Sequence, residues 1–153
     1  MRKLLLTLLL VIAPAAVAGA DDMDKYLEML RSDLRTAKTT IHTEALGLKG
    51  AEGEKFWPIQ REYETELAKL GDQRLALIKD YAANYDSLTA AKAKDLVSRA
   101  FKLESSRLAL LKKYTDKISK DVSPMVGARF AQIEAIINSL IDLQVRAETP
   151  LVP

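Results

Sequence analysis

Cysteine is absent from the chain, and histidine occurs only once. Without cysteine the fold can contain no disulfide and no thiolate metal ligand, so an oxidising compartment poses no hazard. A zinc site needs three or four histidine, cysteine or carboxylate ligands at suitable spacing. The single histidine, His42, has Glu44 nearby, but side chains two residues apart do not share a helix face. We therefore expect no metal or cofactor and interpret His42 as an exposed or packing residue.

Catalytic motifs are missing as well. Nucleophilic catalysis needs an activated side chain beside a base, and the serines occur singly or as Ser105-Ser106 among charged residues. The glycines at 47, 50 and 53 lack the following Lys-Ser/Thr pair and the preceding strand of a phosphate-binding loop. The sequence therefore predicts a protein that is not an enzyme.

The N-terminus has the layout of a secretory signal peptide. Arg2 and Lys3 precede the apolar run from Leu4 to Ile12, and Ala18-Gly19-Ala20 supplies small residues for cleavage. The apolar run is too short for the ~20 residues that span a bilayer. We predict cleavage after Ala20, a mature domain of residues 21–153, and no membrane span after cleavage.

Charge of one sign is not concentrated anywhere in the predicted mature domain. The precursor has 23 basic and 21 acidic residues, and loss of Arg2 and Lys3 makes the two counts equal. Nucleic acids and anionic membranes select a concentrated basic patch, so neither is an expected partner. Together with the signal peptide and the lack of cysteine, this predicts a periplasmic location.

What the chain does contain is helical periodicity. Apolar residues recur every three or four positions in four segments, and no alternating pattern suggests a strand. We predict an all-α fold with helices at about 22–46, 51–85, 90–120 and 124–146, and an extended tail at 147–153. The two central helices are long for a chain of this size, so an elongated antiparallel helical hairpin is favoured over a square four-helix bundle.

Two helix starts are specific enough to name residues. Leu88 and Thr89 precede the third helix, with Thr89 as the N-cap. Ser123 is the predicted N-cap of the fourth helix, and Pro124 takes its first position, where a missing N–H costs nothing. Leu88, which precedes the N-cap, would pack against the first turns of the third helix as a hydrophobic staple.

Pro58, inside "FWPIQREY", leaves two interpretations of the second helix open. If the helix begins near Ala51, Pro58 lies in its second turn and bends the axis. If it begins later, Trp57 is the N-cap and Pro58 the first helical residue. We favour the bend, because Glu52 and Glu54 are typical of a first helical turn.

Trp57 lies about 100° around the second helix from the main apolar stripe. The same side of the helix later becomes apolar, which suggests that it is covered. Another helix of the same chain is one possible cover. The other is a second protein, for which the candidate surface consists of Trp57, Arg61, Glu64, Leu75 and Ile78.

The segment Leu88-Thr89-Ala90-Ala91-Lys92 resembles the LTxxQ motif of the periplasmic Spy/CpxP-like family, with Lys92 where that family has glutamine. Val122-Ser123-Pro124 is a fainter echo. The resemblance implies a thin, curved, all-α homodimer that acts as an ATP-independent chaperone or docks on an envelope partner.

Two functions are therefore expected, and neither involves catalysis. The first is an exported, chaperone-like or envelope-stress-related protein that holds client polypeptides on a curved surface. The alternative is a structural or regulatory accessory subunit of one specific envelope complex.

Overall fold

A computed structural model describes the backbone of residues 20–153 and the side chains of residues 28–153. The predicted signal peptide, apart from Ala20, lies outside this range. The described chain forms four α-helices, α1 (Ala20–Leu46), α2 (Ala51–Asn84), α3 (Ala90–Asp121) and α4 (Pro124–Glu148), with a short 3₁₀ helix, Tyr85–Ser87, between α2 and α3. Between residues 20 and 153 there is no strand, so the all-α prediction is confirmed.

The predicted helix boundaries agree with the structure to within two residues. The largest differences are at the outer ends, where α1 begins at Ala20 and α4 continues to Glu148. The extended tail therefore begins at Thr149, and the prediction that it begins at 147 is wrong. The Thr149 hydroxyl donates to the carbonyl of Val145 at 2.7 Å, which supports the last turn of α4.

The named helix starts have the predicted cap geometry. Thr89 Oγ1 accepts from the N–H of Lys92 at 3.2 Å. Ser123 Oγ accepts from the N–H of Val126 at the same distance, and Pro124 follows at the first helical position. Each hydroxyl satisfies an N–H that the helix itself leaves unbonded.

Pro58 lies inside α2, so the interpretation of Trp57 as the N-cap is wrong. The helix already begins at Ala51, immediately after Gly50, whose φ of 53° favours glycine. The carbonyl of Glu54 receives no helical hydrogen bond from Pro58, which has no N–H.

The contacts divide the chain into two units, one ending at Thr39 and the other spanning Thr40–Pro153. In the first unit, Arg35 donates to Glu28 at 3.1 Å on an exposed part of α1. The second unit contains the end of α1 and all of α2, α3 and α4.

Within the second unit, α3 runs antiparallel to both of its neighbours. The start of α3 meets the end of α2, where Lys92 Nζ lies 2.8 Å from Asp80. The end of α3 meets the early part of α2, where Lys117 pairs with Glu62. Between α3 and α4, Arg107 pairs with Asp142 at 2.6 Å. The predicted antiparallel hairpin is thus present as α2–α3, and α4 packs against its second arm.

The core of the second unit is unusually aromatic for a chain with few aromatic residues. Its fully buried rings contact one another edge to face at centroid distances of 5.2–6.1 Å. These rings are Phe56, Tyr63, Tyr114 and Phe130. The other buried members of this core cluster are aliphatic: Leu46, Ile59, Leu110, Ile118 and Val126. Burial of such large side chains is the main stabilising contribution to this end of the bundle.

Two tyrosines hold the tail: Tyr81 in the last turns of α2 and Tyr85 immediately after that helix. Tyr81 donates its hydroxyl to the carbonyl of Pro150 at 3.0 Å, and Tyr85 donates to the carbonyl of Leu151 at 3.2 Å. The two rings meet edge to face at 5.6 Å. The tail is therefore an extended strap along α2.

Candidate functional site

The candidate surface predicted on α2 is largely covered. Trp57 is half-buried and packs edge to face on Phe56, with ring centroids 5.0 Å apart. Leu75 and Ile78 are also partly buried, whereas Arg61 is exposed. The structure therefore does not present these residues as one exposed apolar patch, and Phe56 and the core take up part of the Trp57 ring.

Exposed apolar side chains lie instead along one face of α3. They are Val97, Phe101 and Leu108. Their spacing of four and seven residues places them above one another on the helix. Phe101 and Leu108 each leave 69% of their surface in solvent, which is more than a core-facing residue of either type would expose.

A second exposed apolar row runs along α4. It consists of Ile136, Leu140 and Leu143, spaced by four and three residues. Leu143 is the most exposed of the three, at 68%. Because α4 also buries Phe130 and Ile137 on its inner side, it is apolar on two faces.

An open groove between α3 and α4 includes one residue of the exposed α3 row, Leu108. Leu108 and Leu111 line it from α3, and Ala135 and Ser139 line it from α4. Leu108 belongs to the groove and to the exposed row of α3, and Leu143 follows Ser139 by one turn on α4. We call the six exposed residues of the two rows the α3–α4 apolar face.

Ion pairs close one end of this groove. Arg107 bonds Asp142 from α3, and Arg74 reaches the same carboxylate from α2 at 2.7 Å. Burial acts to raise the pKa of Asp142, but the hydrogen bond and charge of Arg107 outweigh it and lower that pKa below its ordinary value. Glu104 bonds Arg107 at 2.8 Å on the α3 side. The charges at this end are therefore paired across the three helices.

A different set of polar side chains is sealed in the core. His42, near the end of α1, and Glu134, in α4, are both completely buried. Nε2 of His42 lies 3.3 Å from Oε1 of Glu134, and Tyr63 donates its hydroxyl to Oε2 at 2.9 Å. We call His42, Tyr63 and Glu134 the buried polar cluster. It joins three helices through one carboxylate.

The imidazole of His42 has aromatic rings on two sides. It stacks on Phe130 at 5.5 Å and meets Phe56 edge to face at 5.9 Å. Burial raises the pKa of Tyr63 far above its ordinary value, and the charge of Glu134 adds to that effect. The Tyr63 hydroxyl therefore keeps its proton and donates a hydrogen bond to Glu134.

Sequence reasoning identified His42 as a possible packing residue but missed its partner. Glu134 is 92 positions away, and its pairing could not be inferred from spacing along one helix. One signal was available: Glu134 interrupts the inward positions of α4 between Phe130 and Ile137. A carboxylate in such a row requires a buried partner.

The described side chains offer no group of three or more histidine or acidic residues that could hold a metal ion. In the part of the chain from residue 20 onward, none of the helices has the length and apolar character to cross a membrane. The strongest candidate for function is therefore the α3–α4 apolar face. Comparison of the chain with protein-family models, with curated proteins and with solved structures finds no match.

Proposed function

We propose that the protein is an exported periplasmic binding protein that holds client polypeptides without catalysis. The observation that supports this function is the α3–α4 apolar face. Phe101 and Leu108 of α3 and Leu143 of α4 expose more than two thirds of their surfaces, and Leu108 also lines the open groove between the two helices. Exposed apolar patches mark interaction sites in soluble proteins.

The proposed mechanism is reversible burial of apolar side chains. An unfolded client that exposes leucine or aromatic residues loses contact with water when it lies along the α3–α4 apolar face, at ~25 cal/mol per Å² of apolar area. The surrounding charged side chains keep the complex hydrated and limit growth of aggregates. Such binding follows mass action and needs no nucleotide.

The resemblance to the Spy/CpxP-like family agrees with this proposal. The two residues on which the resemblance depends, Leu88 and Thr89, lie immediately before α3, and the Thr89 hydroxyl caps that helix. The family resemblance also motivates the proposal that the protein is a homodimer. The mass of the secreted protein in solution tests this directly, and a monomeric mass at micromolar concentration would refute it.

The client-binding proposal is tested by aggregation of a chemically denatured substrate in the presence of the purified protein. We expect suppression near equimolar ratio. Phe101→Ser and Leu143→Ser remove exposed apolar area without touching the core. A central contact residue contributes ~1–2 kcal/mol or more, so each variant should need about five- to thirtyfold more protein for equal suppression.

Two control variants separate this surface from other exposed residues. Leu151→Ser removes an 88% exposed leucine from the tail, away from the α3–α4 apolar face, and should leave suppression unchanged. Arg61→Glu reverses the exposed charge of the surface predicted on α2. Equal loss in Leu151→Ser, or loss only in Arg61→Glu, would contradict the assignment to α3 and α4. Absence of suppression by the unmodified protein would contradict the function itself.

The alternative is an accessory subunit that uses the same face for one envelope partner. Capture of one stoichiometric protein from a periplasmic extract, abolished by Phe101→Ser, together with no suppression of aggregation, would replace the client-binding proposal with this one.

A further inference from the structure

The tail strap lies in a groove at the end of α2 that the proposed client binding does not use. On one side the groove is lined by Ile78, Tyr81, Ala82 and Tyr85, and on the other by Thr149 and Pro150. We call it the tyrosine groove. We propose that it is a binding site for extended, proline-containing segments of other polypeptides, and that the protein's own tail competes with them for it.

Two hydroxyl groups bind the backbone of the tail in this groove. Tyr81 donates to the carbonyl of Pro150 at 3.0 Å, and Tyr85 donates to the carbonyl of the next residue, Leu151, at 3.2 Å. The two tyrosines are four positions apart, which places them on the same side of a helical segment, and their rings meet edge to face. The pair therefore offers two donors to two consecutive carbonyls, and every polypeptide has such carbonyls.

The side chains of the tail contribute little to this contact. Leu151 leaves 88% of its surface in solvent, and Val152 leaves 56%. Thr149 and Pro150 form one wall of the groove and leave the space beside them open. A different segment can therefore make the same two hydrogen bonds, and one with a larger apolar side chain can also pack into the open space.

The groove selects an extended backbone. Thr149 has extended dihedral angles, with φ −94° and ψ 116°, and residues 150–153 belong to neither a helix nor a strand. A helical segment could not replace them, because its carbonyls are bonded to its own N–H groups except in the last turn. The ligand class is therefore a polypeptide segment without helical structure.

Proline in the ligand favours binding. The ring fixes the φ of proline and restricts the preceding residue to extended conformations, so less conformational entropy is lost when the segment is held. The tail itself has this composition, Pro150-Leu151-Val152-Pro153. Aromatic-lined grooves that bind two prolines separated by two residues are a recurrent mode of peptide recognition, and the tyrosine groove and the tail supply both of its components.

The tail limits access to the groove because it is attached to α4. A short tether gives the attached group an effective concentration in the millimolar range, and a free segment of the same sequence has to exceed that concentration to displace the tail. A longer tether lowers the effective concentration. The groove should therefore be easier to occupy when a flexible spacer separates the tail from α4.

Nuclear magnetic resonance of the isotope-labelled full chain tests the site. The probe is the peptide Glu-Thr-Pro-Leu-Val-Pro with blocked ends, which copies residues 148–153. Because proline has no amide proton, the amides of Leu151 and Val152 report whether the tail is bound or free. We expect the peptide to move these two signals from their bound to their free positions.

A second full-length protein makes the competition measurable. It carries a flexible Gly-Ser spacer of about ten residues after Thr149, which lowers the effective concentration of the tail. The peptide should displace the tail of this spacer protein at low millimolar concentration. Displacement from the unmodified chain should need a concentration higher by about threefold or more.

Removal of the phenol hydroxyls tests the residues. Tyr81→Phe and Tyr85→Phe each remove one hydrogen bond, so each should weaken peptide binding to the spacer protein by about three- to tenfold. In the chain without the spacer, the double variant should show the two tail amides at their free positions before any peptide is added. Tyr114→Phe is the matched control, because its hydroxyl bonds Glu66 outside the groove, and it should behave as the unmodified protein.

Two altered peptides separate recognition of the backbone from recognition of side chains. Replacement of leucine and valine by serine should leave binding unchanged, because the corresponding side chains of the tail are exposed. Replacement of the first proline by alanine should weaken binding by about two- to fivefold, since the free peptide then has more conformations to lose.

Four results would overturn the proposal. They are no displacement from the spacer protein up to about 10 mM peptide, unchanged tail amides in the double tyrosine variant, loss of binding by the serine peptide, and equal binding by the alanine peptide. Tail signals that change with protein concentration alone would identify the tail of a second copy as the occupant, and competition within one chain would then be wrong. None of these measurements involves the α3–α4 apolar face, so failure of this site and failure of the client-binding proposal are distinguishable.

Discussion

Gly127, in the first turn of α4, lies against α3 more closely than any larger residue would allow. A Cβ built at this position would overlap Oγ of Ser119 and would lie 3.0 Å from both the Cβ and the backbone nitrogen of the same residue. Rotation of the Ser119 hydroxyl can relieve the first overlap only. Gly127→Ala therefore requires the backbones of α3 and α4 to separate.

Two opposing effects determine the change in the free energy of unfolding. Alanine is favoured over glycine inside a helix by ~1 kcal/mol, and forced overpacking costs ~1–3 kcal/mol. Contact with a backbone atom as well as a side chain places this site at the upper end of that range. We expect Gly127→Ala to destabilise the protein by about 2 kcal/mol, which lowers Tm by about 8 °C for a domain of this size.

The matched control is Gly71→Ala, because no atom lies within 4 Å of a Cβ at that position in α2. It should gain the helix preference of ~1 kcal/mol alone and raise Tm. Thermal unfolding followed by circular dichroism compares the two variants. Ser119→Gly combined with Gly127→Ala should recover part of the loss. A Gly127→Ala protein as stable as Gly71→Ala would show that the close helix approach is not a constraint.

Two further predictions concern pH. Hydrogen bonds from Lys92 and then Arg99 lower the pKa of Asp80, so its stabilising effect is complete above about pH 4 and is lost as pH falls further. The Tm difference between the protein and Asp80→Asn should shrink in acid, and a difference that persists there would contradict this origin. Burial, followed by Glu66, raises the pKa of Tyr114 to about 12. Its stabilising effect is therefore complete below about pH 10 and lost above it. Ultraviolet titration of Tyr114→Phe should lack the ionisation step near 12, and a step lost near 10 instead would refute the assignment.

The helices were predictable because their signals are local. Hydrophobic spacing gave their positions, and the hydroxyls of Thr89 and Ser123 marked two starts that the structure reproduces. The end of α4 was less predictable, because Pro150 limits only the residue before it. Because Glu148 lies two residues before Pro150, α4 can continue to it.

The candidate sites were harder to predict because they depend on which residues the neighbouring helices leave uncovered. Trp57, the single tryptophan, was predicted to be part of a contact surface, but its ring packs partly on Phe56 and the surrounding core. Phe101 and Leu108 lie outside the periodic stripe of α3, and periodicity alone gave no reason for their presence. The partners of Glu134, His42 and Tyr63, lie on other helices, so only the three-dimensional structure identifies them.

The strap at the end of the chain has a consequence for sequence variation. Tyr81 and Tyr85 bind main-chain carbonyls of the tail, and every amino acid has such a carbonyl. The side chains of Leu151 and Val152 remain exposed while the backbone is held. Substitutions in these last residues can therefore accumulate without loosening the tail, whereas exchange of either phenol for phenylalanine would free it whatever residues it carries.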